Sequence, residues 1–317
     1  MKQTITIIIL ALLVTESFGQ SYPHYTMFMF NKLLYNPAYA GNKDLTTINA
    51  DYRDQWTGIQ GAPKTTTVSI DGPVGSYMQP FRRVALGLLV NNEQLGVVNN
   101  TTVMAYYAYR IPFEHSVLSF GLEGGTSIYS ANYSQLNPYQ VNDPGLVANV
   151  NNRMLPNFGF GVYWSSNIYY ISAAVPSLLQ NYYSNYAKEN NEEDRELRSY
   201  YLSGGYVFTL TDNIKLEPQV LARYAGNSDY NLPFNADFNL SLILYDRLLI
   251  GFTYRTDNSI EGIIHIQATN TLSIGYAYDY TVSALQAYNN GSHEITVGID
   301  FLKDRNKYIN PRFVKLF

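Results

Sequence analysis

Between Phe234 and Tyr245 the chain alternates residue by residue. Phe234, Ala236, Phe238, Leu240, Leu242 and Leu244 share one side, while Asn235, Asp237, Asn239 and Ser241 share the other. A period of two marks a β-strand with one apolar and one polar face. Ile214 to Tyr224 repeats the pattern, with Lys215, Glu217, Gln219 and Arg223 opposing Ile214, Leu216, Val220 and Ala222. Pro218 sits inside this run and weakens the strand there, because it has no backbone N–H to give a neighbour. Further alternating segments are centred near Ala50, Val68, Leu88, Ala105, Gly121 and Phe160, then near Ile171, Gly204, Phe252, Ile264, Ile274 and Val297. That makes fourteen, and an even number lets a closed sheet begin and end on the same side of a membrane.

The composition says which kind of sheet this is. Charged residues are 15% of the chain, against roughly 25% in soluble domains. Aromatics are also 15%, and 30 of them are tyrosines. Met1-Lys2, the apolar run Ile5 to Val14, and the small residues Ser17 and Gly19 before Gln20 have the layout of a secretory signal peptide. Beyond them no run is long and apolar enough for a membrane helix. Few charges, many tyrosines and no membrane helix predict an all-β chain: a transmembrane antiparallel β-barrel of about 14 strands, of the outer-membrane type, with aromatic girdles at both interfaces. The expected organisation is a signal peptide at 1–19, an N-terminal periplasmic or lumenal segment at 20–45, the barrel at 46–301, and a basic tail at 302–317. The chain has no cysteine, which excludes both a lipoprotein anchor and a disulfide framework.

The links support this reading. Long ones are expected at Ser130–Leu155 and Pro176–Arg198 and medium ones at Ala225–Pro233 and Thr281–Ser292, with short ones near Ser166, Asp212, Asp246 and Asn270. Long and short links alternate as external loops and periplasmic turns do. The short link near Asp257 and the longer Gly72–Arg83 strain the rule. The dense charge run Lys188–Arg198 falls in the longest external loop, where it reads as a solvated tip or a partner surface. The tail carries Lys303, Arg305, Lys307, Arg312 and Lys315, which read first as a solvated, flexible end and otherwise as a contact for anionic outer-membrane lipid or a periplasmic partner.

Catalytic and cofactor chemistry is not indicated. His24, His115, His265 and His293 lack metal-ligand spacing. His293 and Glu294 are adjacent on a strand and face opposite ways. Gly159-x-Gly161 and Gly124-Gly125 lie within strands, with no helix following to hold a phosphate. Glycines there permit bending or close packing. Glu123, Lys215, Glu217, Arg223, Glu261 and His265 read as a polar network in the lumen, where charges need partners. No enzyme, metal or cofactor is expected. With a net charge of −4 and no dense basic cluster, neither is a nucleic-acid partner.

Two motifs narrow the family. The first comprises Phe28-Met29-Phe30-Asn31 and Asn36-Pro37-Ala38-Tyr39-Ala40-Gly41. The second is Tyr52-Arg53-Asp54-Gln55-Trp56-Thr57-Gly58 with Gly61-Ala62-Pro63-Lys64-Thr65. Together with Gly291–Ile295 and Asn310–Phe313 they resemble the PorP/SprF family of outer-membrane proteins associated with the type IX secretion system. Phe28, where the family more often has Tyr, and the extension Val314–Phe317 depart from its pattern.

Physically, Asn36 before Pro37 favours an extended backbone, and Gly41 allows a sharp reversal before the first strand. Gly58, Gly61 and Pro63 restrict the first external loop, and Trp56 suits an interfacial girdle. The motifs either shape the barrel entrance or form a docking surface. On the second reading the candidate binding residues are Asn36, Pro37, Ala38, Tyr39, Gly41, Arg53, Gln55, Trp56, Gly58, Gly61 and Pro63.

The resemblance implies an accessory or anchoring barrel at the cell outer membrane. It would deliver or retain a secreted cargo protein at the surface, a gliding adhesin being one candidate. Its other partners would be secretion-system components, a periplasmic peptidoglycan-associated protein among them. The alternative is a passive outer-membrane channel or small-molecule transporter.

Overall fold

The computed structural model describes residues 25–75, 83–136, 149–190, 195–226, 233–257 and 259–301. The signal-peptide segment, the tail and the centre of the Lys188–Arg198 run lie outside them.

Alternation becomes strand at every one of the fourteen expected places. The strands are β1 Thr46–Asp54, β2 Lys64–Val74, β3 Val84–Leu95, β4 Val98–Pro112, β5 Ser116–Ala131, β6 Val150–Ser166, β7 Tyr169–Val175, β8 Arg198–Tyr206, β9 Phe208–Thr211, β10 Ile214–Gly226, β11 Asn235–Leu244, β12 Leu248–Arg255, β13 Ser259–Gln267, β14 Leu272–Thr281 and β15 Ser292–Phe301. Each pairs antiparallel with its neighbours, and β15 pairs with β1 from Thr46↔Phe301 to Asp54↔His293, which closes the sheet. Both β8 and β9 lie along the same edge of β10 and form one stave. The result is a closed antiparallel barrel of fourteen staves. The break at Val207 falls where β10 carries Pro218, the residue that cannot donate to a ladder. Val207 N–H turns to Ile168 O on the other side instead (2.7 Å).

The faces follow the pleat. Outward positions carry exposed apolar side chains all round the wall, such as Leu88, Leu122, Phe158, Ile171, Leu202, Phe252 and Ile264. A continuous apolar belt would be a liability in water and is the required surface in lipid. Tyr52, Tyr200, Tyr224, Tyr254, Tyr278 and Tyr280 are exposed toward the end of the long loops. Tyr107, Tyr109, Trp164, Tyr206 and Phe208 are exposed toward the other end. These are the two expected girdles. No helix among the described residues is long and apolar enough to cross a membrane; strands do the crossing.

Strand lengths exceed expectation slightly where Gly72–Val74 extend β2 and Ala225–Gly226 extend β10, and most in one further region. Ser130, Ala131 and Val150–Leu155 belong to β5 and β6 rather than to a link. At 16 and 17 residues these strands exceed the ~9–11 that span a bilayer. Their tips stand clear of the membrane as a shelf, closed by an apolar cluster of Tyr129, Ala131 and Leu155 with Tyr183 from the loop after β7.

The lumen is filled from within the chain. Tyr25 to Leu45 runs inside the barrel, with α1 at Lys32–Tyr35 and a 3-10 turn at Pro37–Tyr39. It packs between two apolar sectors of the inner wall. Tyr25, Met27, Phe28, Met29, Phe30 and Tyr35 meet Leu221, Ile243, Leu249, Ile263 and Ala277. Leu33, Ala38, Tyr39 and Ala40 meet Ala85, Leu89, Met104, Tyr106, Ala108, Tyr163 and Tyr170. The inner wall is therefore polar only in part.

Candidate functional site

The plug begins near the long-loop end. Tyr25 Oη bonds Thr67 Oγ1 (2.6 Å) and donates to Asn91 Oδ1 (3.1 Å). The Glu294 carboxylate accepts from the backbone N–H of Thr26 (2.7 Å) and of Met27 (3.1 Å). Thr26 Oγ1 also bonds Asp279 and accepts from Arg53 Nη1 (2.8 Å). Arg53 in turn pairs with Asp279 at 2.5 Å and Glu294 at 3.1 Å. Alongside it, Arg255 pairs with Asp237 (3.0 Å) and Glu261 (2.8 Å), and Arg223 with Asp237 (2.6 Å). Asp237, Glu261 and Glu294 are fully buried. Buried charges persist only when paired and hydrogen-bonded, and here adjacent staves supply both signs at one height. Arg255 Nη2 adds a bond to Tyr25 O (3.3 Å), tying the plug into the same cluster.

Lower down, the first motif locks onto the wall. Asn36 is extended (φ −149°, ψ 114°), as the residue before Pro37 must be. Its Oδ1 accepts from Ala38 N (2.9 Å), and its Nδ2 donates to Val162 O (3.0 Å). The facing wall positions are Gly121 and Gly161, which pair with each other across β5 and β6. A Cβ on Gly161 would collide with Asn36 Oδ1, and one on Gly121 with the backbone of Ala38. The motif and these glycines are a matched pair. Tyr39 packs edge-on against Tyr163 (5.5 Å), and Lys32 Nζ lies 3.6 Å from the centre of the Tyr170 ring. Phe30 stacks on His265 at 3.9 Å. Gly41, at φ +69°, turns the chain and donates its N–H to Asp71 Oδ2 (2.8 Å). Asp44 then meets Arg110 (2.6 Å) near the short-turn end, where the chain enters β1.

The expected site residues divide. Asn36, Pro37, Ala38, Tyr39, Gly41, Arg53 and Gln55 are buried in the lumen. Gly58 and Gly61 are exposed at the rim, with Trp56 and Pro63 partly so. That rim is knitted by backbone hydrogen bonds. Thr57 N donates to Gly291 O and Asn290 N to Thr57 O, each at 2.8 Å, joining the first external loop to the loop before β15. Gly96 N donates to Gly61 O (2.8 Å), joining the β3–β4 turn. Gly58 and Gly61 hold positive φ (+101° and +77°), which glycine adopts without cost. In the loop before β15 that Thr57 bonds, Tyr288 stands 76% exposed.

Of the lumenal network expected from sequence, Glu123, Lys215, Glu217, Arg223, Glu261 and His265 all face inward and are buried. Lys215 pairs with Asp246 near the short-turn end (2.6 Å), apart from the upper cluster. Sequence reasoning did not single out Tyr25, Thr26, Asp279, Arg255 or Gly121. Their signal was inward register at matching height on neighbouring staves. His293 and Glu294 do face apart: Glu294 is in the lumen, and His293 Nδ1 meets Tyr276 Oη outside (2.7 Å). Among the described residues no group of histidines and carboxylates could hold a metal ion.

A family model described as type IX secretion system membrane protein PorP/SprF matches residues 17–299. No curated protein matches. Solved structures with a similar course are outer-membrane barrels. The outer membrane protein Omp33 of Acinetobacter baumannii is 8% identical, with 81% of this chain and 98% of that one covered and a TM-score of 0.45. The NanC porin is 10% identical over 81% and 99%, with a TM-score of 0.41. The outer membrane phospholipase A of Escherichia coli is 12% identical over 93% and 97%, with a TM-score of 0.36.

Proposed function

Because the chain belongs to the PorP/SprF family of type IX secretion system membrane proteins, a family of secretion-system components and not of enzymes, we propose that this outer-membrane barrel anchors secreted cargo at the cell surface. The observation that carries the reading is the plug. Tyr25–Leu45 lies in the lumen, clamped through Glu294 and Asn36 and packed against two sectors of the inner wall, in the space a solute would have to cross. That favours binding over transport, and binding then falls to the outer rim.

The rim suits it. Three connections hydrogen-bonded to one another form a stiff, glycine-lined edge with an exposed tyrosine, and a pre-organised surface loses little entropy when a protein docks. Trp56, Gly58, Gly61 and Pro63 belong to this edge. Asn36–Gly41, Arg53 and Gln55 support it from below by holding the plug and the barrel mouth in place. The cargo is a secreted protein, a gliding adhesin being one candidate. Secretion-system components, including a peptidoglycan-associated one, are assigned to the periplasmic end.

The test separates rim from barrel. Tyr288→Ala combined with Gln60→Asp, a charge placed on the exposed edge of the first external loop without touching its glycines, should leave the barrel inserted and heat-modifiable on gels while surface display of the cargo falls severalfold. Co-purification from native membranes should lose the same cargo and keep the periplasmic components. Normal display in the double variant, or in a clean deletion of the gene, would overturn the proposal.

A further inference from the structure

The outer wall carries an open apolar groove that faces the membrane. It has a volume of about 740 Å³ and is lined outward by Ile171, Gly204, Tyr206, Val220, Phe238 and Leu240 from four successive staves. Its floor exists because Gly204 has no side chain and Pro218, diagonal to it on β10, has only a short ring. Ile171, Phe238 and Leu240 stand about half exposed as its walls.

Depth in the bilayer follows from strand direction. Tyr169 begins β7 and Tyr206 ends β8, both at the short-turn end, so the groove occupies the periplasmic half of the membrane. Aromatic rings crowd its lower lip: Trp164 and Tyr169 lie 5.7 Å apart, and Tyr206 and Phe208 lie 4.6 Å apart. Such rings settle at headgroup depth. The turn after β11 adds the exposed Arg247 at the same end, a cation for a phosphate.

We propose that this groove seats one acyl chain of a phospholipid from the periplasmic leaflet. An apolar slot running toward the bilayer centre takes the chain. Rings and a cation at interfacial depth take the glycerol and phosphate. This goes beyond cargo anchoring and does not depend on it.

The groove can be filled without disturbing the sheet. A Cβ on Gly204 meets only Tyr170 O, at 3.4 Å, an ordinary contact. Wild-type protein, extracted from its native outer membrane in mild detergent and washed, should retain one phospholipid per barrel by native mass spectrometry. Gly204→Leu should keep its heat-modifiable migration and lower that retention by roughly tenfold, the effect of displacing about two buried methylenes. If Gly204→Leu fails to insert, Val220→Phe, at the position paired directly with Gly204 on β10, fills the same space and should act alike. Equal retention in wild type and filled variant overturns the proposal. So does a wild type with no phospholipid, or loss on filling of a lipopolysaccharide, a second copy of this chain or another protein instead.

Discussion

A single Cβ decides whether the plug seats. Gly161→Ala puts a methyl where Asn36 Oδ1 lies, and overpacking of this kind costs about 1–3 kcal/mol. The wall is a continuous hydrogen-bonded sheet, so the plug should yield first. Amide exchange at Ala38 to Gly41 should accelerate roughly tenfold or more, with strand amides of β5 and β6 unchanged. Unchanged exchange at Ala38 would mean that the motif does not rest on this glycine. The sequence reading had placed a reversal at Gly41 and close packing at strand glycines, and both are present. It could not join them, because Asn36 and Val162 are 126 residues apart and nothing local couples such distant positions. Arg53 shows the same limit. Its motif marked it as a docking candidate, yet it is 2% exposed and paired with Asp279 and Glu294, two carboxylates that register alone brings to its side.

Elements were legible wherever lipid dictates the outward face. All fourteen staves announced themselves because every second residue must be apolar there; the weakness expected in β10 at Pro218 is absent from β10 itself, which runs unbroken, and shows instead in its neighbour as the gap between β8 and β9. Legibility failed where lipid stops. The tips of β5 and β6 carry Ser130, Asn151, Asn152 and Pro156, polar or turn-prone residues that read as loop, and Asn152 even holds φ +47°. The plug is the opposite case, structured without local encouragement. Its α1 has four residues and no side-chain bond at its N-cap, far below the ~12–15 that an isolated helix needs to be even marginal. A synthetic peptide covering residues 25–45 should therefore give the circular dichroism of an unfolded chain. The same residues in the barrel should be slow to exchange. Helix in the free peptide would show that the segment carries its own fold and that the lumen merely receives it.

At the scale of the whole molecule the question is whether the barrel conducts, and the plug makes the answer conditional. Fourteen staves enclose a lumen wide enough for a chain segment, and sixteen or more are typical of open porins. Here the segment belongs to the protein, enters β1 directly, and is held at both heights by side chains from opposite walls. Planar bilayers containing the intact protein should show no steady current. Removing residues 25–40 should free the lumen and yield discrete conductance steps, because the barrel wall closes through β15 and β1 without help from the plug. Arg53, Arg223 and Arg255 would then face water together with Asp237, Glu261, Asp279 and Glu294. An excess of carboxylates over guanidinium groups should make that pore prefer cations. A silent truncated barrel that is still folded would mean the side-chain network alone blocks passage. Steady current through the intact protein would instead restore the transporter reading and remove the main support for anchoring.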